Sequence, residues 1–200
     1  MNRSMRFLRA ALLLPVLAQL GGCFFVDWFT LPSKPKPVTA AQVPKHWNMA
    51  GRIGVIHGDE GWHGNLNWVQ KDVSFNASIA GPFGSKAAEF IGSGDVLQLR
   101  APTGEMVDGE KLATWQEKNF GGPMPIKALP YWIHGLASPD IKGAIVKGKD
   151  GSVDEIAQGG WVIRYSRWTE FNKQYMPAKI DLSKAGVKMK LILDDYKVLN

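Results

Sequence analysis

Apolar and polar side chains alternate with a period of two residues over most of the chain after Trp47. The pattern is clearest in the stretches 62–68, 73–79 and 187–193. Successive side chains of a strand point to opposite faces, so this alternation predicts strands with one buried face. Turns rich in glycine and polar residues are expected at 70–72, 92–95 and 184–186. The sequence therefore predicts a mainly β fold, an open antiparallel β-barrel of about nine to eleven strands.

The period becomes helical between Asp108 and Gly121. Leu112, Trp115 and Phe120 stand at roughly helical spacing there, and Gly121 begins a pair of glycines that suits a helix end. The middle of the chain is therefore expected to carry a helix inserted between the strands.

A second, shorter helix is expected from Pro125 to His134, ending at Gly135. Proline suits the first turn of a helix, whereas Pro130 inside the segment predicts a kink. The apolar face of this helix would consist of Ile126, Leu129, Trp132 and Ile133.

The first 23 residues have the pattern of a secreted leader followed by a single cysteine. Three arginines precede an apolar stretch from Ala10 to Leu20, which is too short to span a bilayer, where roughly 20 residues are needed. Leu20-Gly21-Gly22-Cys23 resembles the lipobox of bacterial lipoproteins. That resemblance implies a signal peptide over 1–22, cleavage before Cys23 and acylation, including palmitate, of this cysteine.

The segment 23–44 is expected to be a lipidated N-terminus and flexible tether, with one folded domain over 45–200. Alternating lysine and proline at 34–37 favours an extended, solvated chain. In bacteria that sort lipoproteins, an aspartate directly after the acylated cysteine retains the protein in the inner membrane. Phe24 occupies that position, which favours an anchor in the outer membrane, on its periplasmic face.

Charge and cysteine content exclude several classes of protein. The leader holds three arginines and no acidic residue, so its removal lowers the formal charge from +6 to +3. No basic run with interleaved aromatic residues is present, so nucleic acid is not an expected partner. With Cys23 acylated, no thiol remains for a disulfide.

No motif points to catalysis, a metal or a cofactor. The stretch 143–150 comes within one residue of a phosphate-binding loop, but Asp150 stands where serine or threonine is required, and a hairpin turn at 149–151 is favoured. His57 and His63 could face each other across a hairpin without a third metal ligand. The chain also lacks a Gly-x-Ser-x-Gly elbow. We therefore expect a protein that is not an enzyme.

Large apolar side chains are abundant: eight tryptophans, nine phenylalanines and seven methionines. They could simply pack a core. A barrel of this many strands is also wide enough to hold a ligand if its interior is partly unfilled. Aromatic residues and methionine suit an adaptable apolar lining, so a carrier of hydrophobic cargo is the favoured interpretation.

Several short motifs are spread over nearly the whole segment after Cys23. In chain order they are Gly51-Arg52, Trp62 with Trp68-Val69-Gln70, Gly81-Pro82-Phe83-Gly84-Ser85, Met124-Pro125-Ile126, Trp132-Ile133-x-Gly135, Gln158-Gly159-Gly160-Trp161, Tyr165 and Met176-Pro177. Each motif alone would be weak, but the ordered set together with the lipobox is distinctive. In this order the motifs resemble those of the LolB family of outer-membrane lipoprotein receptors.

The resemblance implies an open barrel covered by helices, whose apolar cavity takes lipoprotein acyl chains from the soluble periplasmic carrier LolA and delivers the lipoprotein to outer-membrane lipid. It also implies a protruding membrane-insertion loop with a bulky apolar tip, here Phe83 flanked by Pro82 and Gly84. We expect a monomer. The cavity candidates are Leu66, Trp68, Phe75, Ile79, Trp161 and Ile163 on the strands, with Trp115 and Trp132 on the helices.

Two other functions remain open on the sequence. One is a lipoprotein that scaffolds outer-membrane protein assembly, and the other is a periplasmic carrier of a different lipid. A scaffold should have a filled core, whereas either carrier should contain an apolar cavity.

Overall fold

The fold is dominated by eleven antiparallel strands. The computed structural model describes residues 43–81 and 86–199. The strands are β1 (His46–His57), β2 (Glu60–Lys71), β3 (Ser74–Ala80), β4 (Lys86–Ser93), β5 (Val96–Arg100), β6 (Met106–Val107), β7 (Gly143–Lys147), β8 (Val153–Gln158), β9 (Trp161–Phe171), β10 (Gln174–Lys184) and β11 (Val187–Val198). The helices are α1 (Gly109–Phe120) and α2 (Leu129–Ile133).

All eleven strands belong to one open sheet. Their order is β6-β5-β4-β3-β2-β1-β11-β10-β9-β8-β7, so β6 and β7 are the outermost strands. Every neighbouring pair is antiparallel, and β1 in the centre pairs with both β2 and β11. The prediction of a mainly β, open antiparallel architecture is confirmed.

One face of the sheet carries the hydrophobic core, as the alternation predicts. In β11, Val187, Met189, Leu191 and Leu193 are buried, whereas Lys188 and Lys190 between them are exposed. The same alternation holds in β2 and β9. Burying one face this way places the long inward side chains where the helical segment can cover them.

Helix α1 forms as the sequence predicts. Leu112, Gln116 and Phe120 are its buried residues, and their spacing of four keeps them on one face. Gly121 ends the helix in the left-handed conformation with φ of 61°, and its N–H donates to the carbonyl of Glu117. Glycine adopts this conformation without the steric cost that a Cβ would bring.

The predicted second helix is too long. Residues 126–128 form hydrogen-bonded turns, and α2 spans only Leu129–Ile133, with Pro130 in its first turn. Proline has no N–H to donate, so it is best accommodated where no intrahelical bond is required, and the helix begins there instead of kinking. Gly135, with φ of 75°, lies just past the end, as expected.

Two further details of the sequence prediction are wrong. Val73 is 71% exposed, because Asp72 and Val73 form the turn between β2 and β3 and the inward alternation starts only at Phe75. The register of β1 and β2 pairs His57 with Glu60 and His63 with Gly54, so the two histidines do not face each other. The predicted hairpin turn at 149–151 is present.

Candidate functional site

An apolar cavity of about 100 Å³ lies between the central strands and the helical segment. Strand residues from both halves of the sheet form one wall, and residues between Phe120 and Ile133 form the other. Every residue that lines the cavity is apolar, with the exception of Lys190. Lys190 stands between Met189 and Leu191, which are both buried on the inward face of the sheet. The lining comprises Ile53, Leu66, Trp68, Phe75, Ala77, Ile79, Phe90, Leu97, Phe120, Met124, Ile126, Leu129, Trp132, Ile133, Ile180, Leu182, Met189, Lys190 and Leu191.

Stacked aromatic rings build one end of the strand wall. The ring centroids of Trp68 and Phe75 are 4.5 Å apart and the rings are nearly parallel, and the ring of Trp47 also stacks with that of Trp68, at 5.9 Å. Gly92 in the adjacent strand makes room for this arrangement: a Cβ there would lie 2.1 Å from the Phe75 ring. The indole N–H of Trp68 donates to Gln70 Oε1 at 3.0 Å, which fixes the orientation of its ring.

Residues 120–133 form the helical cover of the cavity, and two buried glutamines hold this cover in place. Gln116 in α1 accepts a hydrogen bond from the backbone N–H of Met124 at 2.9 Å, which fixes the segment that follows the helix. Gln158 at the end of β8 accepts from the indole N–H of Trp132 and from the N–H of Ser138, both at 2.9 Å. Its amide donates to the carbonyls of Ser138 and Ile141.

His134, directly after α2, joins the cover to the last strand. It is completely buried, and burial lowers the pKa of its imidazole to about 4. Its Nδ1 lies 2.6 Å from the carbonyl oxygen of Pro130, and its Nε2 lies 2.9 Å from the hydroxyl of Tyr196. Since a carbonyl can only accept, Nδ1 carries the proton and Nε2 accepts from Tyr196.

Comparison with known proteins decides the family. The family model described as "Outer membrane lipoprotein LolB" matches residues 45–196. The chain belongs to the LolB family. It is 31% identical to the outer-membrane lipoprotein LolB of Marinomonas sp. over 84% of this chain and 88% of that protein. It is 27% identical to LolB of Nitrosococcus oceani over 97% of this chain and all of that protein.

A solved structure shares the fold. The crystal structure of a LolA superfamily protein from Nitrosomonas europaea superposes with a TM-score of 0.54 at 11% identity, covering 82% of this chain and 94% of that one. At this identity the likeness concerns the fold alone. Membership of the LolB family supports a role in lipoprotein localisation at the outer membrane.

The structure brings five of the eight cavity candidates to the cavity of this LolB family member. Leu66, Trp68, Phe75, Ile79 and Trp132 line it. Trp161 and Ile163 are buried core residues outside its lining, and the Trp161 ring packs against that of Trp132 at 6.5 Å. Trp115 is half-buried and packs edge-on against Phe120. Cys23, Pro82, Phe83 and Gly84 lie outside the described residues.

The lining residues of β10 and β11 and of the segment after α1 are not among the cavity candidates predicted from the sequence. Ile180, Leu182, Met189 and Leu191 follow the same alternation as β2 and β3, so their inward direction could be read from the sequence. Met124 and Ile126 carry no such signal, because they lie outside the strands, in the segment between α1 and α2 that the Met124–Gln116 hydrogen bond helps to position.

Other site chemistry is sparse in the part of the chain that the structure describes. Residues 43–81 and 86–199 contain no group of three or more histidine, cysteine, aspartate or glutamate side chains placed to hold a metal ion. Neither described helix has the length and apolar character needed to cross a membrane.

Proposed function

We propose that this protein receives lipoproteins from a soluble LolA-type carrier, holds their acyl chains in the apolar cavity and inserts them into the outer membrane. The observation that supports this most directly is the cavity lining, because a cavity lined almost entirely by apolar residues inside a LolB family member suits hydrocarbon. In this role the protein is a carrier without enzymatic activity and acts as a monomer.

The cavity must enlarge to accept this cargo. Its volume of about 100 Å³ is below the roughly 300–1,000 Å³ of typical ligand pockets. The helical cover is the part suited to move, because it consists of a short helix and the turns that precede this helix. Two buried side chains, Gln116 and Gln158, attach these turns and α2 to the rest of the molecule.

Energetics favour transfer by direct contact with the donor. Burying an acyl chain of about sixteen carbons gains roughly 0.8 kcal/mol per methylene, so its release into water costs on the order of 12 kcal/mol. A chain that passes from one apolar cavity into another avoids this cost. A tenfold higher affinity than the donor, equivalent to about 1.4 kcal/mol, is sufficient to give transfer a direction.

The anchor and the loop complete the proposal. Acylated Cys23 would hold the protein at the periplasmic face of the outer membrane, with Phe24 permitting export from the inner membrane. The loop Pro82-Phe83-Gly84 would place an aromatic ring at the bilayer surface during insertion.

The decisive experiment mixes the purified protein with a lipoprotein-loaded soluble carrier in the absence of any membrane. Lipoprotein should move to this protein, as followed by co-purification. Cargo that stays on the carrier, with both proteins folded, would contradict the proposal. A filled core that excludes a hydrophobic fluorescent probe would instead favour a scaffold.

A further inference from the structure

A second cavity adjoins the apolar one and differs from it in chemistry. Its volume is about 400 Å³, and it lies where the chain enters β1. Phe75 and Ile126 line both cavities, so these two side chains form the boundary between them. Polar and charged residues contribute to the second lining, among them Lys45, Gln70, Asp72, Lys127, Tyr131 and Asp140.

The charges around the second cavity favour a ligand without net charge. Two lysines and two aspartates line it. Lys127 is paired with Asp95 at 2.6 Å, and Asp72 contacts His46 at 3.0 Å, a hydrogen bond that lowers the pKa of Asp72. The carboxylates would repel a phosphate, and the lysines would repel a cation. Ester and amide groups, which are polar and uncharged, fit both signs.

We propose that the second cavity binds the polar head of an acylated cysteine, namely its glyceryl ester carbonyls and the first peptide groups of the cargo, while its acyl chains occupy the apolar cavity. This inference rests on the proposed function. Ester and amide groups dragged into an apolar cavity would lose their hydrogen bonds, which is costly. A polar compartment directly beyond Phe75 and Ile126 receives them without that loss.

Photo-crosslinking distinguishes the two cavities on one cargo molecule. Benzoylphenylalanine replaces Val73, an exposed turn residue that lines the second cavity, or Leu97, a half-buried residue that lines the apolar one. The exposed strand residue Lys188 serves as the control position. The full-length protein is illuminated with a triacylated cysteine lipopeptide bearing a serine and lysine tail, and adducts are mapped by mass spectrometry.

We expect position 73 to label the glyceryl or the first peptide residues, position 97 to label the acyl chains and position 188 to label neither. Adducts from position 73 on acyl carbon alone, or on this protein's own residues before Val43, would overturn the inference. Labelling at position 97 without any at 73 would also overturn it, while leaving the proposed function intact. Absence of labelling at both would remove the proposed function as well.

A blocking variant provides a second measurement. Val73→Trp adds a bulky ring at an exposed turn position that lines the second cavity, and its urea unfolding is measured alongside to check that the variant is folded. Affinity for the lipopeptide should fall at least tenfold, while affinity for palmitic acid, measured by displacement of the same fluorescent probe, stays within twofold. Equal losses for both ligands, or no loss for the lipopeptide, would contradict a separate head site.

Discussion

His134 Nε2 lies 2.9 Å from the hydroxyl oxygen of Tyr196, so a single hydrogen bond connects the end of the helical cover to the last strand of the sheet. With a neutral imidazole whose Nδ1 donates to Pro130, Tyr196 is the donor in this bond, and a proton on Nε2 would reverse its direction. The ring of Trp47 packs against both partners at 5.5 and 5.7 Å. Burial disfavours the charged form of His134, so the neutral imidazole is the state that attaches the cover.

The first prediction concerns the pH dependence of stability. The pKa of His134 is about 4 in the folded protein and about 6.5 in an unfolded chain, so only the unfolded state takes up a proton between these values. Its contribution is complete above pH 6.5 and is lost as the pH falls towards 4, by about 3 kcal/mol. Urea unfolding at pH 7, 6 and 5 should show this loss.

Two histidine variants check the assignment. His134→Gln should flatten the pH dependence of the unfolding free energy in this window, whereas His63→Gln, at an exposed position, should preserve it. An unchanged pH slope in the His134 variant would assign the effect to other groups.

The second prediction compares two buried tyrosines. Tyr196→Phe leaves Nε2 of His134 without a donor, and a buried polar atom that loses its partner costs about 1–3 kcal/mol. Tyr165 is also buried, but its hydroxyl has no partner within the described residues. Tyr165→Phe should therefore keep or increase the free energy of unfolding, as measured by urea titration. A larger loss for Tyr165→Phe would be inconsistent with this assignment.

The strands were predictable because burial of one face imprints a period of two on the sequence. The turn between β2 and β3 was placed slightly too early, at 70–72 and not at 72–73, since Asp72 adopts a left-handed φ of 50° that no apolar pattern reveals. The start of α2 was missed because Ile126 is apolar for a different reason: it lines the cavity from a turn. Apolar spacing alone cannot separate these two roles.

The cavity itself was only partly predictable. Leu66 and Ile163 follow the same alternation and are both buried, yet only Leu66 lines the cavity. The difference arises from the position of each strand relative to the helical cover. Non-local hydrogen bonds, such as those of Gln158, determine the position of the cover. No local pattern contains that information.

The third prediction uses this difference in a matched pair of isoleucines. Ile79→Thr adds a hydroxyl to the proposed acyl site, whereas Ile163→Thr adds one to the closed core. A buried hydroxyl without a partner costs roughly 1–3 kcal/mol. We expect Ile79→Thr to weaken palmitic acid binding about tenfold, a change of about 1.4 kcal/mol. Displacement of a fluorescent probe measures this affinity.

Ile163→Thr should lower the free energy of unfolding more than Ile79→Thr does, while binding per folded molecule stays normal. Equal binding defects in the two variants would indicate that Ile79 acts only as a packing residue.

The fourth prediction concerns sorting. Phe24→Asp places an acidic residue directly after the proposed acylated cysteine, and we expect the protein to shift to the inner membrane. Phe24→Ser removes the aromatic ring without adding a charge, so it should remain in the outer membrane. Density-gradient fractionation of membranes measures the distribution. An unchanged distribution of the aspartate variant would argue against sorting by this position.

The last prediction separates acceptance of cargo from its delivery. Phe83 follows Pro82 and precedes Gly84, a sequence that favours a compact, projecting tip between β3 and β4, and the family likeness suggests that its ring enters the bilayer surface. A carboxylate at this position resists transfer into lipid, because a charge loses its hydration there. Cargo acceptance is proposed to depend on the apolar cavity and not on this tip, so the variant should still accept cargo.

We therefore expect Phe83→Glu to take lipoprotein from a loaded carrier at a normal rate but to release it into liposomes at least tenfold more slowly, so that the loaded protein accumulates. Phe83→Leu keeps a bulky apolar tip and should deliver normally. Both steps can be followed with one labelled lipoprotein, first without and then with liposomes. Equal loss of acceptance and delivery in the glutamate variant, or loss of its fold, would show that Phe83 packs against the domain. Delivery defects shared by the leucine variant would point instead to a contact specific for the aromatic ring.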